Sequence, residues 1–377
     1  MDSVTKPKRV LQVVSAMNRG GAETLLMNIY RNIDKSKVQF DFISHREEEC
    51  HYDREIEALG GRIFRVTSLG KDGPISYVKK LIKIIQEQEY VAVHAHTDYQ
   101  CGFPILAAKL SGVKKRIAHS HSNNWGQSNS LKSKITFIAL QFLIKKNTNY
   151  YCACSIEAGQ FLFGRINKEK KQFKILKNGI DVTQFSNQLD SYASVRYELN
   201  IPGDAKILGH VGTFSESKNH DFILEILMEV HKKRKDVYAV FVGEGPLKKE
   251  IELKVKNLQI EAYVKFLGVR TDIPRLMNAF DVFLFPSIFE GFGIVTIEAQ
   301  SIGTPCIVSD RVTKKTDMGL GLIKYLNLEK DYNKWLNEIN KSFTIDRPSQ
   351  ETIRQNISKL GFDIKDNIPE WLALYDI

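Results

Sequence analysis

The 377-residue sequence lacks the features that mark several large classes of protein. Its five cysteines show no zinc-like spacing, and their odd number argues against a disulfide framework. No apolar run approaches the ~20 residues of a membrane-spanning helix. The apolar run near the N-terminus is short and leads into Asn18-Arg-Gly-Gly21 instead of a signal-peptide cleavage site. These absences predict a cytoplasmic protein with reduced thiols.

Two common ligand-binding signatures are also missing. No G-x-G-x-x-G motif follows the first predicted strand, which disfavours a nicotinamide dinucleotide. No Asp-x-Asp pair is present to hold a metal-bridged diphosphate. His94, His96, His119 and His121 follow predicted strands in i,i+2 pairs, without an evident close third ligand for zinc. We therefore expect neither a cofactor nor a metal.

The formal net charge of +10 favours anionic partners such as phosphates, nucleic acids and anionic membranes. No nucleic-acid-binding motif accompanies this charge, so a nucleic-acid partner is not expected. The segment 131–146 is apolar in its middle and basic at both ends. It is either a buried helix or a peripheral contact with the inner face of the membrane.

Short β-branched runs alternate with longer amphipathic segments, a pattern typical of parallel sheets with helices on both faces. In the first half we predict strands at 10–16, 38–43, 62–66, 91–95, 116–118, 150–153 and 173–176, and helices at 22–33, 75–88, 103–110, 131–146 and 156–163. In the second half we predict strands at 207–211, 238–242, 264–267, 282–285 and 306–308, and helices at 220–233, 247–257, 273–279, 292–301, 330–341 and 350–360. The length and the turn-rich stretch 178–202 divide this α/β chain into two Rossmann-like domains, 1–190 and 191–360.

The strongest local signal lies in residues 285–298, where a predicted buried strand is followed by Glu290, a glycine-rich loop and a helix. We expect free backbone amides at the start of that helix to form an anion site. Those amides belong to Phe292, Gly293 and Ile294. Glu298 would lie about two turns further, roughly 9 Å along the axis. Carboxylates on both sides of an anion site suit a nucleotide-sugar, although two surface glutamates are the competing interpretation.

Two other strand ends carry candidate ligands. Gly212 ends a predicted strand, and Lys218 lies in the following loop, where a lysine can neutralise phosphate or simply face solvent. Gly20 and Gly21 follow the first strand, where paired glycines allow a ligand to approach the backbone or form a tight turn.

Together these motifs resemble the retaining glycosyltransferases of family 4, which have the GT-B fold of two Rossmann-like domains facing a cleft. The resemblance covers nearly the whole chain and points to the bacterial exopolysaccharide and capsule branch. It is carried by Arg19-Gly-Gly-Ala-Glu23, Ala118-His-Ser-His121, Lys218-Asn-His220, Val242-Gly-Glu-Gly-Pro246, Phe266-Leu-Gly268 and the stretch 290–298. It implies that a sugar moves from a nucleotide-sugar, which we expect to be UDP-linked, to a glycan or lipid-linked acceptor. It also implies that the tail, about residues 361–377, packs on the first domain.

The resemblance further implies a role for each matching position. Glu290 would hold hydroxyls of the donor sugar, and Glu298 those of the ribose. Lys218 would bind the diphosphate and stabilise it as the leaving group, and His121 would lie beside the transferred sugar. The other implied donor contacts are Gly20, Gly21, Gly212, Thr213, Gly243, Gly245, Leu267, Arg270, Gly291, Phe292, Gly293 and Ile294.

Thr213 departs from the family pattern, because members often carry an arginine there that shares the diphosphate with the lysine. Arg19 or Arg270 could compensate for the missing charge. Two alternatives to a transferase stay open, and Thr213 adds weight to the second. One is a nucleotide-sugar epimerase of the same fold, and the other is a nucleotide-binding partner subunit with little catalysis.

Overall fold

The computed structural model describes residues 6–122, 130–164, 172–185, 191–329 and 331–377, and the chain forms two compact units. The first unit comprises Met1–Ile180 and Ile364–Ile377, and the second comprises Asp181–Asp363. The C-terminal segment therefore belongs to the unit that begins the chain.

The first unit is built on a parallel sheet of seven described strands. Their order in the sheet is β3-β2-β1-β4-β5-β6-β7, so the direction of sheet growth reverses between β1 and β4. The strands are β1 (Lys8–Val13), β2 (Val38–Ser44), β3 (Ile63–Arg65), β4 (Tyr90–Ala95), β5 (Lys115–Ser120), β6 (Tyr150–Ala153) and β7 (Phe173–Ile175).

The second unit repeats this architecture with six described parallel strands in the order β10-β9-β8-β11-β12-β13. The strands are β8 (Lys206–Val211), β9 (Val237–Val242), β10 (Val264–Phe266), β11 (Val282–Phe285), β12 (Cys306–Ser309) and β13 (Ile323–Leu326). Its direction of growth reverses between β8 and β11. Open α/β sheets bind ligands outside the carboxyl ends of strands at such a switch point.

Helices connect successive strands in both units, which confirms the predicted α/β fold of two Rossmann-like domains. Among the described residues the α-helices are α1 (Gly21–Asn32), α2 (Asp53–Ala58), α3 (Leu69–Asp72), α4 (Pro74–Gln86), α5 (Gly102–Leu110), α6 (Leu131–Asn147), α7 (Ile156–Phe163), α8 (Val182–Phe185), α9 (Ser191–Glu198), α10 (His220–His231), α11 (Lys248–Asn257), α12 (Ile273–Ala279), α13 (Ile294–Ser301), α14 (Asn333–Ser342), α15 (Gln350–Lys359) and α16 (Ile364–Tyr375). Every predicted strand and helix has a counterpart, with ends that shift by a few residues. Residue 330, predicted to begin a helix, lies outside the described residues.

Helix α16 is anchored by apolar side chains in the core of the first unit. Ile364, Trp371 and Leu374 are at most 2% exposed and pack in one cluster with β1, β2 and α1. Burial of a large apolar side chain stabilises a fold by roughly 1.5–3 kcal/mol. The C-terminal helix is therefore an integral layer of this unit.

Helix α6 is not the fully buried helix that one interpretation of its sequence predicted. Leu131, Ile135, Ile138 and Phe142 are 59–75% exposed, whereas Ile144 is fully buried. The exposed positions recur at intervals of three and four residues, which places them on one face. No helix within the described ranges is long and apolar enough to cross a membrane.

Candidate functional site

Lys218 and Glu290 meet at the switch point of the second sheet. Lys218 follows β8 and Glu290 follows β11, and the lysine Nζ donates a hydrogen bond to the glutamate Oε2. Their side chains are only 19% and 16% exposed. The ammonium also lies 4.7 Å from the centroid of the Phe285 ring, which adds a cation–π contact. The structure therefore brings together the two residues that the sequence singled out separately.

The loops that carry this pair are fastened to each other. The backbone N–H of Ile288 donates to the carbonyl of Ser217 at 2.8 Å, and the Asn219 side-chain amide donates to the carbonyl of Pro286 at 3.2 Å. Asn219 adopts a left-handed backbone with φ 56°, which asparagine tolerates better than most residues. The lysine and the glutamate are thus held by backbone contacts as well as by their own bond.

Helix α13 begins later than the sequence predicted. It starts at Ile294, with Gly293 as its N-cap at φ 88°, a conformation that favours glycine. Phe292 lies before the helix, is 8% exposed and packs against Phe362. The free amides at this terminus therefore start at the N-cap Gly293 and continue with Ile294, and the predicted role of the Phe292 amide as a helix-end donor is wrong. Glu298 lies four residues into the helix, roughly 6 Å along the axis, not two turns.

Glu298 is a partly exposed carboxylate whose environment favours the protonated form. Burial raises its pKa to about 7. Its carboxylate makes no side-chain hydrogen bond with any residue in the described ranges. It is available to accept hydrogen bonds from a ligand, which would replace the solvation lost by burial.

The loops after β8, β9 and β10 lie in backbone contact with each other. Gly212 N–H donates to the Val242 carbonyl at 2.9 Å, and Gly243 N–H donates to the Gly268 carbonyl at 2.8 Å. Gly243 has φ 140°, and a Cβ there would collide with the Gly212 carbonyl oxygen. Glycine is needed here for close packing of the loops. The contact with a ligand that the resemblance implied for Gly243 stays a prediction.

The remaining positions implied to contact the donor in the second unit differ in exposure. Thr213 is exposed, while Gly245 and Leu267 are partly buried. Arg270 makes ion pairs with Glu198 and Asp272, each with a contact of 2.8 Å. These contacts occupy its guanidinium, so Arg270 is poorly placed to replace the arginine that family members often carry at the position of Thr213. Gly291 lies in the loop between Glu290 and α13.

In the first unit, a glutamate covers one of the paired glycines. The Glu23 carboxylate lies where a Cβ of Gly20 would be, whereas a Cβ at Gly21 would meet nothing within 4 Å. Burial raises the pKa of Glu23 to about 7, and the nearby Asp98 adds to that rise. Arg19 lies over the Tyr52 ring, 5.1 Å from its centroid. Gly21 is therefore open, and Gly20 is shielded.

The four histidines after β4 and β5 form one group at the carboxyl end of the first sheet. His96 Nδ1 lies 2.8 Å from His121 Nε2, and His94 Nε2 lies 3.2 Å from His119 Nδ1. Ring nitrogens of His94, His96 and His119 lie within 4.8 Å of one another, so the expectation that no third histidine would come close is wrong. A ring nitrogen of this group could bind a metal only where it carries no proton.

Comparison with known proteins adds the family to this geometry. Residues 19–184 match the model of Glycosyltransferase Family 4, and residues 192–356 match that of Glycosyl transferases group 1. A putative glycosyltransferase, EpsF, of Bacillus subtilis (strain 168) is 42% identical over 371 residues, which cover 98% of this chain and 97% of that protein. The chain belongs to glycosyltransferase family 4.

Two further similarities extend this assignment. A UDP-Gal:alpha-D-GlcNAc-diphosphoundecaprenol alpha-1,3-galactosyltransferase of Escherichia coli is 24% identical over 61% of this chain and 60% of its own length. The solved structure of Anabaena Alr3699/HepE in complex with UDP and glucose superposes with a TM-score of 0.78 at 19% identity, covering 98% of this chain and 99% of that one. The glycosyltransferase therefore has the GT-B fold of two Rossmann-like domains.

Several residues around these sites of the glycosyltransferase were not predicted. Asp98 accepts a hydrogen bond from the His121 backbone N–H at 2.8 Å, and burial raises its pKa to about 6. Gln12 and Tyr375 contact the histidine group from β1 and α16. Glu23 belongs to a motif that carries the resemblance, and its contact with Gly20 was not predicted. The polar Gln12 within the buried apolar part of β1, residues 10–13, was a local signal for a buried hydrogen-bond network.

Proposed function

We propose that this glycosyltransferase moves a sugar from a UDP-linked donor to a glycan or lipid-linked acceptor, with retention of anomeric configuration, during exopolysaccharide synthesis. The observation that carries the proposal is the Lys218–Glu290 pair at the switch point of the second sheet, followed by the N-terminus of α13 and Glu298. A UDP donor is supported by the similar fold of HepE, which was solved with UDP and glucose. A lipid-linked acceptor is supported by the diphosphoundecaprenol substrate of the E. coli relative.

In this proposal the second unit stabilises the leaving diphosphate. Lys218 and the free amides from Gly293 onward supply positive charge and hydrogen-bond donors where negative charge develops. Lys218 exchanges its bond with Glu290 for a bond with phosphate, and Glu290 turns to the sugar hydroxyls. Glu298 accepts hydrogen bonds from the ribose. The acceptor hydroxyl attacks from the side on which the diphosphate leaves and passes its proton to the leaving phosphate oxygen, so no protein nucleophile is required.

The same groups lead us to propose that donor binding needs no metal ion. Lys218 and the end of α13 can neutralise the diphosphate directly, a task that a divalent cation has in other nucleotide sites. UDP affinity measured by calorimetry should be equal in EDTA and in magnesium or manganese. Affinity that vanishes in EDTA and returns with either ion would contradict this part of the proposal.

Acceptor-dependent release of UDP tests the transfer itself. Thermal-shift measurements with UDP, GDP and ADP come first, because a ligand that binds only the folded state raises its stability. We expect UDP to give the largest shift. Release of UDP from the sugar donor should then need a lipid-linked acceptor. Donor conversion without acceptor would favour an epimerase, and tight nucleotide binding with no turnover would favour a partner subunit.

We further propose that α6 holds the enzyme on an anionic membrane. Its exposed stripe Leu131, Ile135, Ile138 and Phe142 is accompanied by four lysines, and the helix contains no acidic residue. Those lysines are Lys132, Lys134, Lys145 and Lys146. An apolar face flanked by cations is typical of helices that lie in the membrane interface, and each lysine near an anionic surface contributes about 1 kcal/mol.

Co-sedimentation with vesicles tests this contact. Vesicles with anionic phospholipid should retain the enzyme more strongly than zwitterionic ones, and Lys145→Glu/Lys146→Glu should remove most of that difference. Ile138→Glu should weaken binding to both. Leu253→Glu is a matched control, because Leu253 is 62% exposed on a helix of the second unit. If the amount of enzyme retained by the vesicles changed neither with lipid charge nor with the lysine substitutions, the membrane contact would be ruled out.

A further inference from the structure

A polar array lies inside the otherwise apolar core between the first sheet and α16. The array consists of six residues, Gln12, His94, His96, His119, His121 and Tyr375, and all but His121 are at most 6% exposed. They lie beside core residues of β1, β4 and β5. The register pairs Gln12 with His94 across neighbouring strands. Buried polar groups of this kind must be satisfied by hydrogen bonds to be tolerated.

Every imidazole in the array is neutral. Burial lowers the pKa of His94, His96 and His119 well below the usual value, and it lowers that of His121 to about 4. A neutral imidazole has one N–H donor and one bare nitrogen acceptor. Each contact between two rings therefore has a direction.

Gln12 sets that direction for the branch that ends at His121. Its Nε2 donates to the Tyr375 hydroxyl at 3.2 Å, so its Oε1 is the acceptor for His96 Nε2–H at 2.9 Å. With the proton of His96 on Nε2, its Nδ1 is bare and must accept. His121 therefore donates from Nε2 across the 2.8 Å contact, and its own Nδ1 is left as a lone-pair acceptor.

The second branch follows from the same amide. The Tyr375 hydroxyl, having accepted from Gln12, donates to His94 Nδ1 at 2.8 Å. His94 then donates from Nε2 to His119 Nδ1 at 3.2 Å. The branches end in His119 Nε2–H and His121 Nδ1, and neither atom has a hydrogen-bond partner within the described part of the chain.

We propose that Gln12 is a positioning residue, which holds His121 in the Nε2–H tautomer and so keeps its Nδ1 as an acceptor for a hydroxyl of the sugar substrate. Only the identity of that substrate rests on the proposed function, because the tautomer follows from the array alone. The ring nitrogen that carries the proton in a histidine is set by the bond that the other nitrogen makes. Reversal of the Gln12 amide would reverse both branches and present an N–H instead of a lone pair.

NMR of the enzyme with ¹⁵N-labelled histidine side chains reports the protonated nitrogen of each ring. We expect the Nε2–H tautomer at His96 and His121. Gln12→Leu removes both amide bonds and should add Nδ1–H signal at His121. Tyr375→Phe removes the hydroxyl that donates to His94 and accepts from Gln12 Nε2, but it keeps the bond between Gln12 Oε1 and His96. It should therefore change His94 and His119 and leave His121 as it was.

Two further readouts separate positioning from general structural damage. His45, which contacts the Tyr77 hydroxyl at 2.9 Å outside the array, is the internal reference and should not change in either variant. In a transfer assay, Gln12→Leu should lower kcat about five- to tenfold, the effect of one hydrogen bond, with little change in donor KM. Tyr375→Phe should leave kcat close to that of the unmodified enzyme.

The proposal is overturned by Nδ1–H at His121 in the unmodified enzyme, or by a His121 tautomer that Gln12→Leu does not change. It is also overturned if one equivalent of zinc stays bound through dialysis, because a metal would take the nitrogens from which the tautomers were derived. Absence of sugar transfer by an enzyme whose tautomers are as stated would contradict the proposed function and leave the role of Gln12 in the array intact.

Discussion

The two sheets of this glycosyltransferase share one topology, yet their carboxyl ends carry different chemistry. The second sheet presents ionised groups, with Lys218 and Glu290 paired at its switch point. The first sheet presents neutral imidazoles, joined to Gln12 and Tyr375 by directed hydrogen bonds. Charges can stabilise an anion that forms during a reaction. Directed hydrogen bonds between neutral groups can instead orient a hydroxyl without attracting an anion. Under the proposed function, we therefore expect diphosphate affinity to depend on the second unit and orientation of the sugar to depend on the first.

Removal of the Lys218 side chain should have the largest effect on turnover and on UDP binding. If Lys218 faces the leaving diphosphate as proposed, Lys218→Ala deletes that charge, so kcat should fall a hundredfold or more and UDP affinity roughly tenfold. Steady-state kinetics and calorimetry measure both. Lys254→Ala is the matched control, because Lys254 pairs with Asp221 on the surface of the same unit. If His121→Ala weakened UDP as much as Lys218→Ala, the division between the units would fail.

Glu290→Gln should separate turnover from nucleotide binding. Loss of a charge-assisted hydrogen bond to the sugar should lower turnover of the donor by roughly ten- to a hundredfold. Bare UDP should bind at least as tightly as before, because Lys218 loses the carboxylate that competes with phosphate for its ammonium. Calorimetry with UDP beside a transfer assay measures the two effects. A matching loss in UDP affinity would show that Glu290 does not act on the sugar.

The sequence predicted the strands and helices well because buried β-branched runs and amphipathic segments each have a clear period. It also placed Lys218 and Glu290 at strand ends, and the sheet order explains why they meet. It failed at the start of α13, since the positive φ of Gly293 ends the loop two residues after Gly291, which composition does not reveal. The array around Gln12 depends on contacts between residues up to 363 positions apart, so a local pattern could show the polar Gln12 in its strand but not its partners.

Glu298→Gln should weaken both the nucleotide-sugar and bare UDP, by about tenfold, if Glu298 holds the ribose. This effect is smaller than that of Lys218, because it removes one acceptor and no phosphate contact. Calorimetry with uridine, UDP and the sugar donor should show the same loss for all three ligands. A loss confined to the sugar donor would place Glu298 against the sugar and exchange its role with that of Glu290.

The smallest expected effect is on the stability of the free enzyme. Because burial raises the pKa of Glu298 from 4.5 to about 7, the folded state binds a proton more tightly than the unfolded state, and stability falls as the pH rises between these values. The penalty is absent below the lower pKa and complete above the upper one. Glu298→Gln avoids it, so the variant should be more stable than the unmodified enzyme at pH 8, by about 1 kcal/mol for a partly exposed group, and no more stable at acid pH.

Urea unfolding of the ligand-free enzyme at pH 8 and at pH 5 would measure this difference. Glu261→Gln is the control, because Glu261 is exposed on the same unit, and it should show no gain at either pH. A gain at pH 8 that accompanies weaker UDP binding would mean that Glu298 is kept at a cost to stability for the ligand it holds. Equal stability of the variant and the unmodified enzyme at pH 8 would show that water already solvates this carboxylate, and the case for a desolvated ribose acceptor in the second unit would weaken accordingly.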